Sequence, residues 1–202
     1  MQKLLDDLRL IETVSQELQE LLLEKKKIRK CALIIGHKES SQGAVSPSGV
    51  TEFAYNQELA ELIKKNVERT EVVIVYRRTY KQLPDDVNQV KPDFAVSLHC
   101  NAFNTKTSGS EVLYYEKSSK GKELARKLQT AIVKVLGLPD RGIKAKTSED
   151  RGGYLLKHVK APVVLIEPFF IDNPVDFVVG VEKRNAMAQA IAKVIDEELH
   201  NS

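Results

Sequence analysis

The chain has 202 residues, 42% of them hydrophobic and 29% charged, with 31 Lys and Arg against 28 Asp and Glu for a formal net charge of +3. That length suits one substantial core rather than two, and the near balance of charge argues against a dedicated nucleic-acid binder. The only cysteines, Cys31 and Cys100, exclude a multi-disulfide framework and a four-cysteine metal site.

No apolar run approaches the ~20 residues of a membrane span, so stable membrane insertion is not expected. Asp6, Asp7 and Glu12 interrupt the apolar centre that a secretory signal needs. Synthesis in the cytoplasm is therefore expected. Residues 1–29 read as an amphipathic helix of about seven turns, with Met1, Leu4, Leu8, Ile11, Leu18 and Leu22 at spacings of three and four and Ser15 in the same seam. Lys25, Lys26, Lys27 and Arg29 near its end suit the negative pole of a helix. Such a helix either packs on its own domain, pairs with a second copy as a homodimer, or covers a site.

From residue 30 to 202 the pattern is that of a second unit. Cys31–Ile35 is a short apolar strand ending at Gly36 and His37, and the Ser-, Gly- and Pro-rich residues 40–50 form a loop. Helical spacing runs from Thr51 to Val67. Strands follow at Val72–Tyr76, Phe94–His99 and Glu111–Tyr115. Residues 119–136 place Leu124, Leu128, Ile132 and Val135 on one side of a helix. Pro162–Ile166 is a continuous apolar strand, as expected for burial on both faces, and a last helix spans about Arg184 to Leu199. This alternation predicts an α/β fold: three layers, α/β/α, around a twisted, mixed and mostly parallel sheet.

In open α/β sheets, sites gather at the carboxyl ends of strands. Three strands here end in groups with metal-binding or acid–base chemistry: Gly36-His37, Ser97-Leu98-His99-Cys100-Asn101 and Ile166-Glu167-Pro168. Glu52 joins them at the start of a helix. Each has a plainer reading, as a hydrogen-bonded structural histidine or a carboxylate favoured at a helix N-terminus. Glu167, directly after four apolar residues, is harder to explain that way, because a buried carboxylate is costly unless paired or metal-bound.

From about residue 31 onward the chain resembles the zinc-dependent N-acetylmuramoyl-L-alanine amidases of the type 3 family. The matching pieces, in order, are Gly36-His37, Gly49-x-x-Glu52-x-x-x-Asn56, Ser97-Leu98-His99-Cys100-Asn101-Ala102, and Ile166-Glu167-Pro168-Phe169-Phe170-Ile171-Asp172-Asn173 followed by Asp176. The resemblance implies that His37, Glu52 and His99 bind one zinc ion and that Glu167 is the catalytic carboxylate. It implies peptidoglycan as substrate, cleaved between N-acetylmuramic acid and L-alanine of the stem peptide, with zinc-activated water as nucleophile. The chain departs from the family at Ile34, where an Asp is common, and at Lys38-Glu39, where a Gly pair is common. Alternation along the strand turns Cys100 toward the core and away from the metal.

Arg141, Arg151 and Asn101 are expected to contact substrate, the arginines because the stem peptide carries carboxylates. Asp172, Asn173 and Asp176 are expected to cap a turn and a following helix, and His158 and His200 to be surface or structural residues. A wall hydrolase without a signal peptide resembles a phage or prophage endolysin, acting on the wall after release, with a sporulation-type amidase as the alternative. A zinc peptidase acting on another acylated amino acid or peptide would need the same donors. An inactive relative that binds wall fragments would not need all four site residues.

Overall fold

The computed structural model describes residues 3, 9–19 and 28–198. Residues 9–19 are helical (α1) and exposed throughout, with Leu10, Ile11, Val14 and Leu18 all facing solvent. The remaining seam positions expected for this helix, Met1, Leu4, Leu8 and Leu22, lie outside the described residues, as does His200.

The rest alternates strands and helices: β1 (Lys30–Ile35), α2 (Glu52–Asn66), β2 (Glu71–Tyr76), α3 (Leu83–Val90), β3 (Phe94–Leu98), β4 (Ser110–Tyr115), α4 (Ser119–Leu136), β5 (Asp140–Lys146), α5 (Gly153–His158), β6 (Val163–Glu167), α6 (Pro174–Glu182) and α7 (Arg184–Glu197). The six strands lie in the order β2-β1-β3-β6-β4-β5. All neighbouring pairs are parallel except β4 with β6. The mixed, mostly parallel sheet expected from the sequence is therefore present.

Alternation along the central strands divides the core. Leu33, Ile35, Val96, Leu98, Val164 and Ile166 face the side covered by α2, α4 and α7, where Leu59, Leu128 and Ile191 pack against them. Ala32, Ile34, Ala95 and Leu165 face the other side, covered by Leu83 and Val87 of α3 and Leu155 and Leu156 of α5. Both faces are dry, so these strands carry no polar alternation. Each fully buried Leu or Ile contributes about 1.5–3 kcal/mol of transfer free energy.

Capping fixes where the helices begin. The Thr51 hydroxyl accepts from the Ala54 N–H at 3.3 Å and starts α2 one residue before Glu52. Ser118 does the same for α4, accepting from the Gly121 N–H at 3.0 Å. Asn173 caps α6 through the Val175 and Asp176 N–H groups, as expected. Asp176 does something else: its buried carboxylate accepts from the Ser108 hydroxyl and from the N–H groups of Gly109 and Phe170. It ties the loop before β4 to the segment after β6.

The topology positions the site. β1, β3 and β6 are parallel neighbours, so their carboxyl ends lie side by side along one edge. β4 runs the opposite way, which brings its beginning to that same edge and sets Glu111 opposite Glu167.

Candidate metal centre and active site

His37 leaves β1 through Gly36, whose N–H donates to Leu98 O at 2.9 Å. A Cβ on Gly36 would lie 2.5 Å from His99 Cε1 and 2.6 Å from Leu98 O, so only glycine fits between the two strand ends. His37 itself has φ +67°, an uncommon conformation for a side-chain-bearing residue. His99 continues β3 and donates its N–H to Ile166 O at 3.1 Å. Glu52 is the first residue of α2, where the positive end of the helix favours a carboxylate.

These three residues converge. Glu52 Oε1 lies 2.9 Å from His99 Nδ1, and Glu52 Oε2 lies 3.1 Å from His37 Nε2. The carboxylate is only 2% exposed and is also held by the backbone, with Cys100 N–H donating to Oε1 at 3.0 Å and Ala44 N–H to Oε2 at 3.3 Å. Burial works to raise the Glu52 carboxyl, but the two imidazoles overcome it and hold the group below the usual carboxylate range. A Cβ on Gly43 would meet Glu52 Oε2 at 2.6 Å and His37 Cδ2 at 2.7 Å, and Gly43 has φ +79°, so this turn needs glycine on both counts.

One donor atom from each residue lies within 4.8 Å of the others. His37 Nε2 is buried and lacks a hydrogen-bond partner among the described residues, despite its closeness to Glu52. A buried nitrogen left this way is costly unless it binds something. Two imidazoles and a carboxylate are also a donor set suited to a divalent ion with an open position. The residues fit a metal ion.

Glu167 ends β6 and lines a cavity of about 210 Å³ together with His37 and His99. Its Oε2 is buried and has no hydrogen-bond partner among the described residues. Burial pushes the Glu167 carboxyl well above the usual range, and the charge of Glu52 adds to this. Opposite it, Glu111 is fully engaged: Asn101 Nδ2 donates to Oε1 at 2.9 Å and Arg141 Nε to Oε2 at 2.9 Å.

Of the residues expected to contact substrate, Asn101 and Arg151 line the cavity. Arg141 is not among the lining residues; it is held between Glu111 and the Phe170 ring, 5.0 Å from its centroid. Cys100 is buried in the core, and His158 is exposed at the end of α5, its ring 4.5 Å from that of Tyr154 and tilted to it by 41°. The cavity also contains Arg77, Tyr80, Glu111 and Lys146, which the sequence reading does not single out. Arg77 directly follows β2, so the strand-end rule that flagged His37 and His99 could have found it. Glu111 reaches the site only through antiparallel pairing, which a single sequence does not display.

A six-stranded α/β sheet with a His-Glu-His cluster and an isolated carboxylate at one edge defines a metallohydrolase-like domain. Residues 31–197 match the N-acetylmuramoyl-L-alanine amidase family, and the chain belongs to it. It is similar to the N-acetylmuramoyl-L-alanine amidase LytC of Bacillus subtilis (strain 168), 28% identical over 150 residues that cover 70% of this chain and 29% of LytC. Among solved structures, it resembles Cwp6 from Clostridium difficile (TM-score 0.77, 26% identity, 85% of this chain and 29% of that one). It also resembles the catalytic domain of the CD27L endolysin targeting Clostridia difficile (TM-score 0.70, 28% identity, 83% of this chain and 96% of that one). The chain thus spans less than a third of LytC and of Cwp6. No described helix is long and apolar enough to cross a membrane.

Proposed function

We propose that the protein hydrolyses the amide between the lactyl group of N-acetylmuramic acid and L-alanine of the peptidoglycan stem peptide. His37, Glu52 and His99 hold one zinc ion in this reading, and Glu167 is the catalytic carboxylate. The observation that carries it is the convergence of three donors from β1, α2 and β3 at the cavity that Glu167 also lines.

A zinc ion held by these residues would lower the pKa of a water and polarise the scissile carbonyl. The protein residues do the rest. Glu52, fixed by two backbone N–H groups, would present its carboxylate to the ion beside the two imidazoles. With its carboxyl ionised beside the positive charge of a bound ion, Glu167 would take the proton of the attacking water on its unpartnered Oε2 and pass it to the amine, which is a poor leaving group until protonated. Asn101 holds Glu111, and Arg141 balances its charge, so that Glu167 remains the carboxylate free for proton transfer. Arg151 is a substrate contact.

The catalytic unit is residues 30–202, and residues 1–29 are an assembly element. The exposed apolar side chains of Leu10, Ile11, Val14 and Leu18 support pairing of two copies through α1. Similarity to the CD27L endolysin domain supports an endolysin role, with synthesis in the cytoplasm and action on the wall after release.

Digestion of purified sacculi by the zinc-loaded protein tests the reading, with Glu167→Gln and a chelator as controls. Stem peptides with a free L-alanine amine, lost in both controls, are expected. Intact sacculi in the presence of folded, zinc-loaded protein would instead favour a peptidase acting on another acylated amino acid.

A further inference from the structure

The arginines of the domain are not all used in the same way. Arg78 is paired with Asp86, Arg141 with Glu111 and Arg184 with Glu58. Arg77 has no ion pair among the described residues, and its Nε is buried without a hydrogen-bond partner. Its guanidinium carbon stands 6.0 Å from the centre of the Tyr80 ring, which supports the group without neutralising it. Leaving a buried guanidinium nitrogen unsatisfied is costly, and an accepting ligand would remove that cost.

Arg77 lines the cavity that holds His37, His99 and Glu167, and it also lines a second, open groove beside it bounded by Lys38, Phe53 and Tyr76. A substrate extending from the first cavity into the second would pass this side chain. Lys146 at the end of β5 and Arg151 line the first cavity too, where the charges of both act on the Glu167 carboxyl. Of the carboxylates nearby, Glu52 is engaged by the two imidazoles and Glu111 by Asn101 and Arg141, while Glu167 lies within the field of Arg151 and Lys146. Arg77 therefore offers unpaired positive charge to an anionic ligand.

We propose that Arg77 binds the substrate carboxylate nearest the scissile amide, the free α-carboxylate of the residue that follows L-alanine. This rests on the amidase reading above. It makes Arg77 a specificity residue that separates stem peptides with a free glutamyl α-carboxylate from those in which it is amidated. A guanidinium fork matches a carboxylate in two parallel hydrogen bonds, which a lysine at the same place does not reproduce.

Calorimetric titration of the zinc-loaded protein with L-alanyl-D-glutamate and with L-alanyl-D-isoglutamine tests this without requiring turnover. The acid is expected to bind at least 10-fold more tightly than the amide. Arg77→Gln is expected to erase that preference at unchanged zinc content, and Arg77→Lys to retain part of it. Equal binding of the two dipeptides by the wild-type protein, or a preference that survives in Arg77→Gln, would overturn the proposal. Inactivity on sacculi with the preference intact would overturn the amidase reading alone. Digestion of sacculi without any preference would overturn the role of Arg77 alone.

Discussion

The Cys100 backbone N–H donates to Glu52 Oε1 at 3.0 Å, across a sequence separation of 48 residues. The end of β3 thus fixes not only His99 but also the carboxylate that His99 faces. A carboxylate held by the backbone keeps its position whether or not an ion is bound, which would preorganise a metal centre.

Glu52→Gln keeps this shape and loses the charge. Its expected result is a folded protein whose affinity for zinc falls by about 100-fold or more, since even outer-shell substitutions typically cost 10–100-fold. Competition with a chromophoric chelator measures it. Unchanged affinity would remove Glu52 from the ligand set.

Gly36→Ala probes the closeness of β1 and β3. The added Cβ meets His99 Cε1 and the Leu98 carbonyl oxygen, at 2.5 and 2.6 Å, while the Gly36 N–H is bonded to that same carbonyl. Forced overpacking costs about 1–3 kcal/mol. The variant should melt earlier and bind zinc more weakly, because the displaced group includes the His99 ring. A variant with wild-type melting and zinc affinity would contradict this geometry.

Glu167, the catalytic carboxylate of the proposed reaction, is also a stability liability. Its folded-state carboxyl titrates well above the ordinary value of 4.5, chiefly because it is buried. As pH rises past that ordinary value the unfolded chain loses this proton while the folded chain keeps it, so stability falls with rising pH until the folded group also ionises. Glu167→Gln removes the penalty. In metal-free protein it should melt higher than wild type at neutral pH, with each kcal/mol giving roughly 2–4 °C in a domain of this size. The advantage should vanish below about pH 4, where both states of the wild-type chain are protonated. Activity should be lost at every pH. A variant no more stable than wild type at neutral pH would mean that Glu167 is not held in this environment.

Asp176→Ala leaves the Ser108 hydroxyl and the Gly109 and Phe170 N–H groups without their acceptor. Unsatisfied buried groups cost about 1–3 kcal/mol each, so denaturant titration should show a loss of about 3 kcal/mol or more. Asp176→Asn, which keeps an acceptor oxygen, should lose less. Equal losses would show that the charge rather than the hydrogen bonds matters.

How far the sequence alone reaches depends on what each element buries. β1, β3 and β6 are legible because both of their faces are dry and their apolar runs are unbroken. β5 is not: Asp140–Lys146 is an edge strand with no fully buried residue, interrupted by Gly142 at φ +73°. α3 and α5 are short and bury only a few residues each, too few for helical periodicity to stand out. The same division holds at the site. His37, His99 and Glu167 follow readable strands, and Glu52 follows a readable cap. Glu111 and Lys146 arrive through the pairing of β4 with β6 and β5, a relation between distant segments. Asp176, expected at a helix cap, serves a tertiary tie that capping rules do not anticipate.

Isotope labelling tests the central claim most directly. Zinc-loaded protein is incubated in H2(18)O with N-acetylmuramoyl-L-alanyl-D-glutamate, and the products are read by mass spectrometry. The account predicts one (18)O atom in the lactyl carboxylate of the muramic acid, none in the released L-alanyl peptide, and no product with Glu167→Gln. Label in the alanyl carboxylate, or intact substrate with fully zinc-loaded wild-type protein, would contradict it.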